Sequence, residues 1–280
     1  MGKFILENIK PSLEPLQKRI AFYFFSKSSG EDYPVEYTFY PHIFSTLAIY
    51  KDSKIQTSDY KSTVYKNPKN TLSPIFYGRA YEKSIDITIK EGFEKITIVF
   101  YPLGINSFIE RPLSKISTEY FFEFKEWGNE FQPIAQKIFK EDSLQEKGRI
   151  LDEFLIKKLN PFTNENLNSC LQLMLDSDPI KVGEIADSIG INRKTLFSLF
   201  KNNLCISPNK FYKILRFRKA INQFVNYRDR SNLTDVSLES GYYDQSSLIK
   251  DFHTLTGNNP KAFFDYIERV GTEDTFFKIR

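Results

Sequence analysis

One stretch of the 280-residue sequence occurs twice. Ile185-Ala186-Asp187-Ser188-Ile189-Gly190-Ile191 returns 51 residues later as Val236-Ser237-Leu238-Glu239-Ser240-Gly241-Tyr242. Past the glycine the offset grows to 52. Leu196 and Phe200 then align with Leu248 and Phe252, Pro208 with Pro260, and Phe211-Tyr212 with Phe263-Phe264. Self-similarity at such a period marks a supersecondary unit present in two copies.

The shared positions say what each unit is. Small Ala186 and Ser237 let a first helix approach a second closely, and Gly190 and Gly241 supply the positive φ with which a chain leaves a helix abruptly. Leu196 with Phe200, and Leu248 with Phe252, stand one helical turn apart and turn one face of the second helix inward. Its opposite face is left free, as in a helix-turn-helix, where that face enters the major groove. Asn192 and Asp244 stand as N-caps of these second helices. The exposed positions that follow are Arg193, Lys194, Thr195, Ser198 and Lys201 in the first unit, and Gln245, Ser246, Ser247 and Lys250 in the second. Gln, Ser and Thr can read base edges, whereas Lys and Arg serve a guanine or a phosphate. Each of the nine also has a plainer reading as a solvated surface residue.

Between the units, Pro208 opens a long helix reaching about Tyr227. Phe211, Ile214, Leu215, Phe217 and Ile221 are its apolar positions, with Lys210, Lys213, Arg216 and Lys219 around them. As a strut holding the second helices about 34 Å apart, it would let one chain read two successive major-groove segments. The formal net charge of +4 proves no nucleic-acid partner, but its distribution is uneven. No acidic residue lies between Asp187 and Asp229, while Arg193, Lys194, Lys201, Lys210, Lys213, Arg216, Arg218, Lys219 and Arg228 do. A one-sign stretch of this kind reads as a footprint for a polyanion.

Residues 164 to 266 resemble the DNA-binding domain of the AraC-type family of bacterial regulators. The second copy carries Gly241-Tyr242-Tyr243-Asp244-Gln245-Ser246-Ser247-Leu248-Ile249-Lys250-Asp251-Phe252 and then Thr256-Gly257-Asn258-Asn259-Pro260. The resemblance implies sequence-specific promoter binding and transcription control, with both second helices as readers. It also implies double-stranded promoter DNA as partner, and RNA polymerase if the protein activates. Three residues depart from the pattern. Cys205 stands where the second copy has Gly257, which predicts a strained or differently shaped helix end. Phe197 occupies a usually polar position and either packs on neighbouring structure or touches thymine methyl groups. Ser198 replaces a long basic side chain, which predicts weaker base readout by the first unit.

Ahead of this region the pattern changes. Ser45 to Tyr50, Ser84 to Ile89 and Lys95 to Tyr101 are β-branched and aromatic runs between turn residues, which predicts an antiparallel sandwich or small barrel. From Trp127, Phe131, Ile134 and Ile138, then Ile150, Leu151, Phe154, Leu155 and Leu159, recur at helical spacing as two closing helices. The turn-rich Asn160-Pro161-Phe162-Thr163-Asn164 marks the junction. The expected architecture is therefore α+β in two domains, 1–160 β-rich and 161–280 an all-α double helix-turn-helix, with helix breaks at Asp178-Pro179, Gly190, Ser207-Pro208, Gly241 and Asn259-Pro260. The family resemblance implies that 1–160 is a sensing or dimerisation domain, and Phe100-Tyr101-Pro102-Leu103-Gly104 with Arg111-Pro112-Leu113-Ser114 faintly resembles the cupin-like β domains found there.

Composition excludes several functions. A hydrophobic fraction of 41% and an aromatic fraction of 16% suffice for two cores. No segment approaches the ~20 apolar residues of a membrane helix, so the expected location is cytoplasmic, on the nucleoid. Metal catalysis would need clustered ligands, yet the only histidines are His42 and His253. His42 reads as a structural or capping residue. No phosphate-binding loop, nucleophile elbow or dinucleotide fingerprint occurs, and the expectation is no enzyme, no metal and no cofactor. Cys170, in an apolar run, reads as a packing residue, against the idea of a DNA-targeted enzyme with a cysteine nucleophile. A small-molecule effector and a homodimer stay open, the effector site unassigned. The runner-up to the regulator is a protein-interaction adaptor that has lost selective DNA readout, suggested by Ser198 and Cys205.

Overall fold

The computed structural model describes residues 3–29, 33–69, 71–176, 180–226, 232–269 and 276–279. The first part of the chain contributes β1 (Lys3–Ile9), α1 (Glu14–Gln17), β2 (Ile20–Ser29), β3 (Val35–Phe39), β4 (Ser45–Lys51), β5 (Ser53–Ser58), β6 (Lys61–Lys66), β7 (Phe76–Gly78), β8 (Ile85–Ile89) and β9 (Phe93–Phe100). Then come a 3-10 turn over Gly104–Phe108, α2 (Leu113–Ile116), β10 (Phe121–Glu123), α3 (Phe131–Ile138) and α4 (Leu144–Lys158). The rest forms α5 (Glu165–Asp176), α6 (Val182–Ser188), α7 (Arg193–Leu204), α8 (Pro208–Asn226), α9 (Leu233–Glu239), α10 (Gln245–Thr256), α11 (Pro260–Tyr266), β11 (Glu268–Arg269) and β12 (Phe276–Ile279). The three runs expected as strands are β4, β8 and β9, and the two closing helices are α3 and α4. The expected break at Asp178-Pro179 lies outside the described residues.

The strands make two sheets in the orders β1-β2-β9-β4-β7-β10 and β11-β12-β3-β8-β6-β5. The pairings are antiparallel except that of β6 with β8, which is parallel, a difference from the expected sandwich. Period-2 alternation explains how β2 and β9 serve two layers. Tyr23 and Phe25 with Ile96, Ile98 and Phe100 turn toward α3 and α4, where Trp127, Phe131, Leu151 and Phe154 complete a core. Phe22, Phe24 and Val99 turn the other way, toward the second sheet. A polar tether crosses the first core. The Tyr23 hydroxyl donates to Asp152 Oδ1 at 2.6 Å, and Asp152 Oδ2 accepts from the Ser12 amide at 2.8 Å. That supplies partners for a carboxylate only 3% exposed.

The helices gather around α8, whose Phe211, Ile214, Leu215, Phe217, Ala220 and Ile221 are all buried. Phe217 meets Phe252 at 4.9 Å between centroids, and Phe224 stacks on Phe264 at 3.8 Å. These contacts tie α8 to α10 and α11. The core continues into the β-rich part through Tyr40, whose ring lies 4.8 Å from that of Phe263. Polar links join the same two parts. The Ser84 amide donates to the Leu255 carbonyl at 3.1 Å, and Lys210 meets Glu82 at 2.8 Å. Past α11 the tail re-enters the β-rich part, with Phe277, Lys278 and Ile279 in register with Phe39, Thr38 and Tyr37. Among the described residues no helix is long and apolar enough to cross a membrane.

Candidate nucleic-acid interface

The two copies of the repeat fold alike. α6 and α7 form the first unit, α9 and α10 the second. Gly190 and Gly241 turn out of the first helices at φ +71° and +83°, where a Cβ is disfavoured. Ala186 and Ser237 are fully buried. The serine is accommodated because its hydroxyl donates to the Thr234 carbonyl at 2.7 Å. Leu196, Phe200, Leu248 and Phe252 face inward, at most 1% exposed. Asn192 Oδ1 accepts from the Thr195 amide at 2.8 Å, and Asp244 Oδ1 from the Ser247 amide at 2.7 Å. Both expected caps are thus made, and the hydrogen bonds from Ser247 hold the Asp244 carboxyl below its usual range.

The outward faces carry the side chains named from the sequence. Arg193, Lys194, Thr195, Ser198 and Lys201 are exposed on α7, and Gln245, Ser246 and Lys250 on α10, while Ser247 is partly buried. Arg193 lies over α6, close enough that a Cβ on Gly183 would stand 2.4 Å from its guanidinium. Ser198 neighbours the β-rich part, because Asn202 donates to its hydroxyl at 3.4 Å and itself accepts from Ser114 at 3.4 Å. On α10, Gln245 accepts from the Thr234 hydroxyl at 3.5 Å. Phe197 stays half exposed on the surface of α7. It is 49% exposed, with Lys201 Nζ 5.9 Å from its ring centroid.

The one-sign basic window needs correction. Lys210 is paired with Glu82, Lys213 and Arg216 close on Asp251 at 3.1 and 3.2 Å, and Lys219 donates to the Leu175 carbonyl at 2.7 Å. Arg218 is 3% exposed. Arg228 lies outside the described residues. Charges adjacent in sequence are thus engaged in holding α8 in place, and the exposed cations of the window on α7 are Arg193, Lys194 and Lys201. Charge counting along the chain cannot see partners such as Glu82 and Asp251, which come from elsewhere.

At the end of α7, Cys205 adopts the left-handed conformation at φ 55°, matching Gly257 at 74°. The helix end expected to be differently shaped keeps the shape of its counterpart, and the residue without glycine's freedom is held by its surroundings. Arg79 Nη1 donates to the Cys205 carbonyl at 2.8 Å, and Asn106 Nδ2 to the Asn203 carbonyl at 3.0 Å.

A second feature was not read from the sequence. The inner faces of the two sheets line a solvent-open pocket of about 150 Å³, walled by Phe22, Phe24, Tyr37, Phe39, Ile87 and Val99. Lys95 and Thr97, alternating with the inward Ile96 and Ile98 on β9, also line it. Burial lowers the Lys95 ammonium to about 8. The Thr97 hydroxyl is buried and makes no hydrogen bond. His42 borders the cavity, its Nδ1 accepting from the Phe44 amide at 2.9 Å, a capping role as expected. No group of three or more His, Cys, Asp and Glu side chains that could hold a metal occurs among the described residues. Cys170 is fully buried and its thiol is pushed up to about 12, so it carries no thiolate at neutral pH.

Several solved structures resemble the whole chain. ToxT from Vibrio cholerae strain SCE256 with an unsaturated fatty acid bound is 13% identical over 96% of this chain and 98% of its own, with a TM-score of 0.47. ToxT from Vibrio cholerae O395 is 11% identical over 94% and 97%, at 0.44. The same protein bound to (E)-4-(8-methylnaphthalen-1-yl)but-3-enoic acid is 10% identical over 94% and 98%, at 0.43. No curated protein matches in sequence. The family described as a helix-turn-helix domain matches residues 185–266, the span from the first unit's Ile185 through α11. With both units, their caps and their glycine turns in place, residues 185–266 are a helix-turn-helix domain, a fold that places its second helix in the DNA major groove.

Proposed function

We propose that the protein binds a specific duplex with both reader helices, α7 and α10 entering successive major-groove segments on one face of the DNA. The observation that carries this reading is the equivalence of the two units, each with an N-capped second helix whose outer face is exposed and, Phe197 and Ile249 apart, largely polar. Arg193, Lys194, Thr195, Ser198 and Lys201 serve the first segment, and Gln245, Ser246, Ser247 and Lys250 the second. In this reading residues 1–160 are the sensing or dimerising part and 161–280 the reader. RNA polymerase, where the protein activates, and a second copy of the chain complete the partners. The test is selection of duplexes from a random pool by the full chain, followed by insertion of half a helical turn between the two selected segments. Insertion should abolish selective binding, because α8 holds the readers in fixed relation. Recovery of no preferred duplex would favour the adaptor that has lost DNA readout.

The effector that fits the sandwich cavity is an apolar small molecule with one anionic group. Its walls are aromatic and aliphatic, and Lys95 with the unpartnered Thr97 hydroxyl supplies one polar end. A buried polar atom without a partner costs free energy that a ligand oxygen would recover. Titration of the full chain with a medium-chain carboxylic acid and with its methyl ester tests this, and equal binding of the two would remove Lys95 from the reading.

A further inference from the structure

We infer that Phe197 is a specificity-determining residue of the first reader, recognising thymine through its 5-methyl group. The inference rests on the DNA-reading proposal above and assigns one base class to one side chain. Phe197 is a large apolar residue left 49% exposed on a helix whose Leu196, Phe200 and Leu204 are buried and whose Leu199 is partly buried. It is the middle of a row at i, i+4 and i+8, Arg193-Phe197-Lys201, on the surface of α7. Cationic residues therefore stand before and after it on the helix: Lys194 lies one turn before it, Lys201 Nζ stands 5.9 Å from its ring, and the Arg193 guanidinium lies toward Gly183 of α6.

That setting selects the occupant. An exposed aromatic ring in a neutral or acidic surround would suit a protein partner, but a ring beside Lys201, on a helix that also exposes Arg193 and Lys194, suits an apolar group embedded in a polyanion. The thymine methyl is the apolar group that the major groove displays. With Phe197 on the methyl, Lys201 and Arg193 are left for the phosphates or guanine on either side. It also accounts for the weak polar equipment of this reader, where Ser198 shares its hydroxyl with Asn202 instead of projecting a long donor. The first reader gains selectivity from an apolar contact and the second from Gln245 and the serines.

The test uses the full chain and its selected duplex. Each thymine in the segment assigned to the first reader is replaced in turn by uracil, which removes only the methyl. Wild-type protein should lose about fourfold in affinity at one or two positions, the effect of withdrawing one methyl from an apolar contact. In Phe197→Ala the same replacements should have no effect, and Phe197→Leu should retain part of it. Unfolding midpoints of the variants, and their loss of affinity on Gln245→Ala, should match the wild type, since Phe197 is on the surface. A uracil series without effect on the wild type overturns the inference while leaving the regulator intact. So does a Phe197→Ala variant that keeps the full methyl dependence, or one that leaves DNA binding unchanged and loses a protein partner. Failure to select any duplex defeats both this assignment and the reading beneath it.

Discussion

Arg79 donates from Nη1 to the carbonyl oxygen of Cys205 at 2.8 Å, joining the β-rich part to the C-cap of α7. The final carbonyls of a helix have no intrahelical donors, and a cation there also meets the negative end of the helix dipole. Cys205 is the position at which α7 turns left-handed, so the bond falls where the backbone is least comfortable. The Sγ atom of Cys205 lies 3.8 Å from the Ser117 carbonyl, within the core of the β-rich part. The C-terminal end of α7 is therefore anchored by the part that holds the cavity, whereas α10 packs on α8, α9 and α11 and meets that part through the Ser84 amide at the Leu255 carbonyl.

Removing this link should loosen one reader and not the other. Arg79→Met leaves the Cys205 carbonyl without its donor and should cost about 1–3 kcal/mol. Amide exchange should rise at the C-terminal end of α7 while α10 keeps its protection. Equal changes in both helices would mean that Arg79 acts on the fold as a whole.

Asp251 fastens α10 to α8 through two cations. Its carboxylate, in a residue 7% exposed, meets Lys213 at 3.1 Å and Arg216 at 3.2 Å. Asp251→Asn removes the charge and leaves both cations uncompensated, which for full burial costs about 3–5 kcal/mol. Lys213 and Arg216 keep 31% and 26% of their side-chain exposure, so water screens part of this. The expected loss is about 2 kcal/mol in urea unfolding, and an unchanged midpoint would show that the aromatic contacts of Phe217 and Phe252 hold α10 unaided.

Cys205 tests the balance of backbone and packing. Cys205→Gly relieves a left-handed residue by about 1 kcal/mol but removes a small buried side chain of similar worth, so stability should change little. Cys205→Val adds a β-branched side chain at positive φ and should lose about 2 kcal/mol or more. The reverse order in thermal unfolding would contradict the left-handed cap.

Lys95 makes the cavity sensitive to pH. Its ammonium titrates near 8 in the folded chain, below the 10.5 of a free lysine, because burial penalises the charged form. Between those values the unfolded chain binds more protons, so this group adds stability as pH rises from about 8 to 10.5. Binding of an anion has the opposite dependence, since it needs the charged form. Affinity for a carboxylic acid should fall as pH is raised through 8, with the dependence lost in Lys95→Met. A flat profile in the wild type would separate the cavity from anion binding.

The repeat made the reader units legible because each shared position answers to a local demand. A glycine is needed at positive φ, a small residue where two helices cross, and an Asn or Asp at an N-cap. The strands β4, β8 and β9 were legible for the same reason. The cavity was not. Lys95 and Thr97 alternate with Ile96 and Ile98, a pattern that ordinarily marks a solvent-facing side, and here that side faces a second sheet. The spent charges of α8 were hidden too, since Glu82 and Asp251 are brought to it only by the folded chain. Nor does the tail past Ile267 carry a sign that it pairs with Tyr37 to Phe39, because sheet partners distant in sequence leave no periodic signal.

The account stands most directly on a salt titration of the full chain on its selected duplex, read by fluorescence anisotropy for the wild type and for Lys194→Ala with Lys250→Ala. It predicts selective binding that weakens steeply with salt, and a slope smaller by about two when one cation is removed from each reader. Binding that is weak on every duplex, with a slope unchanged by the two substitutions, would contradict it.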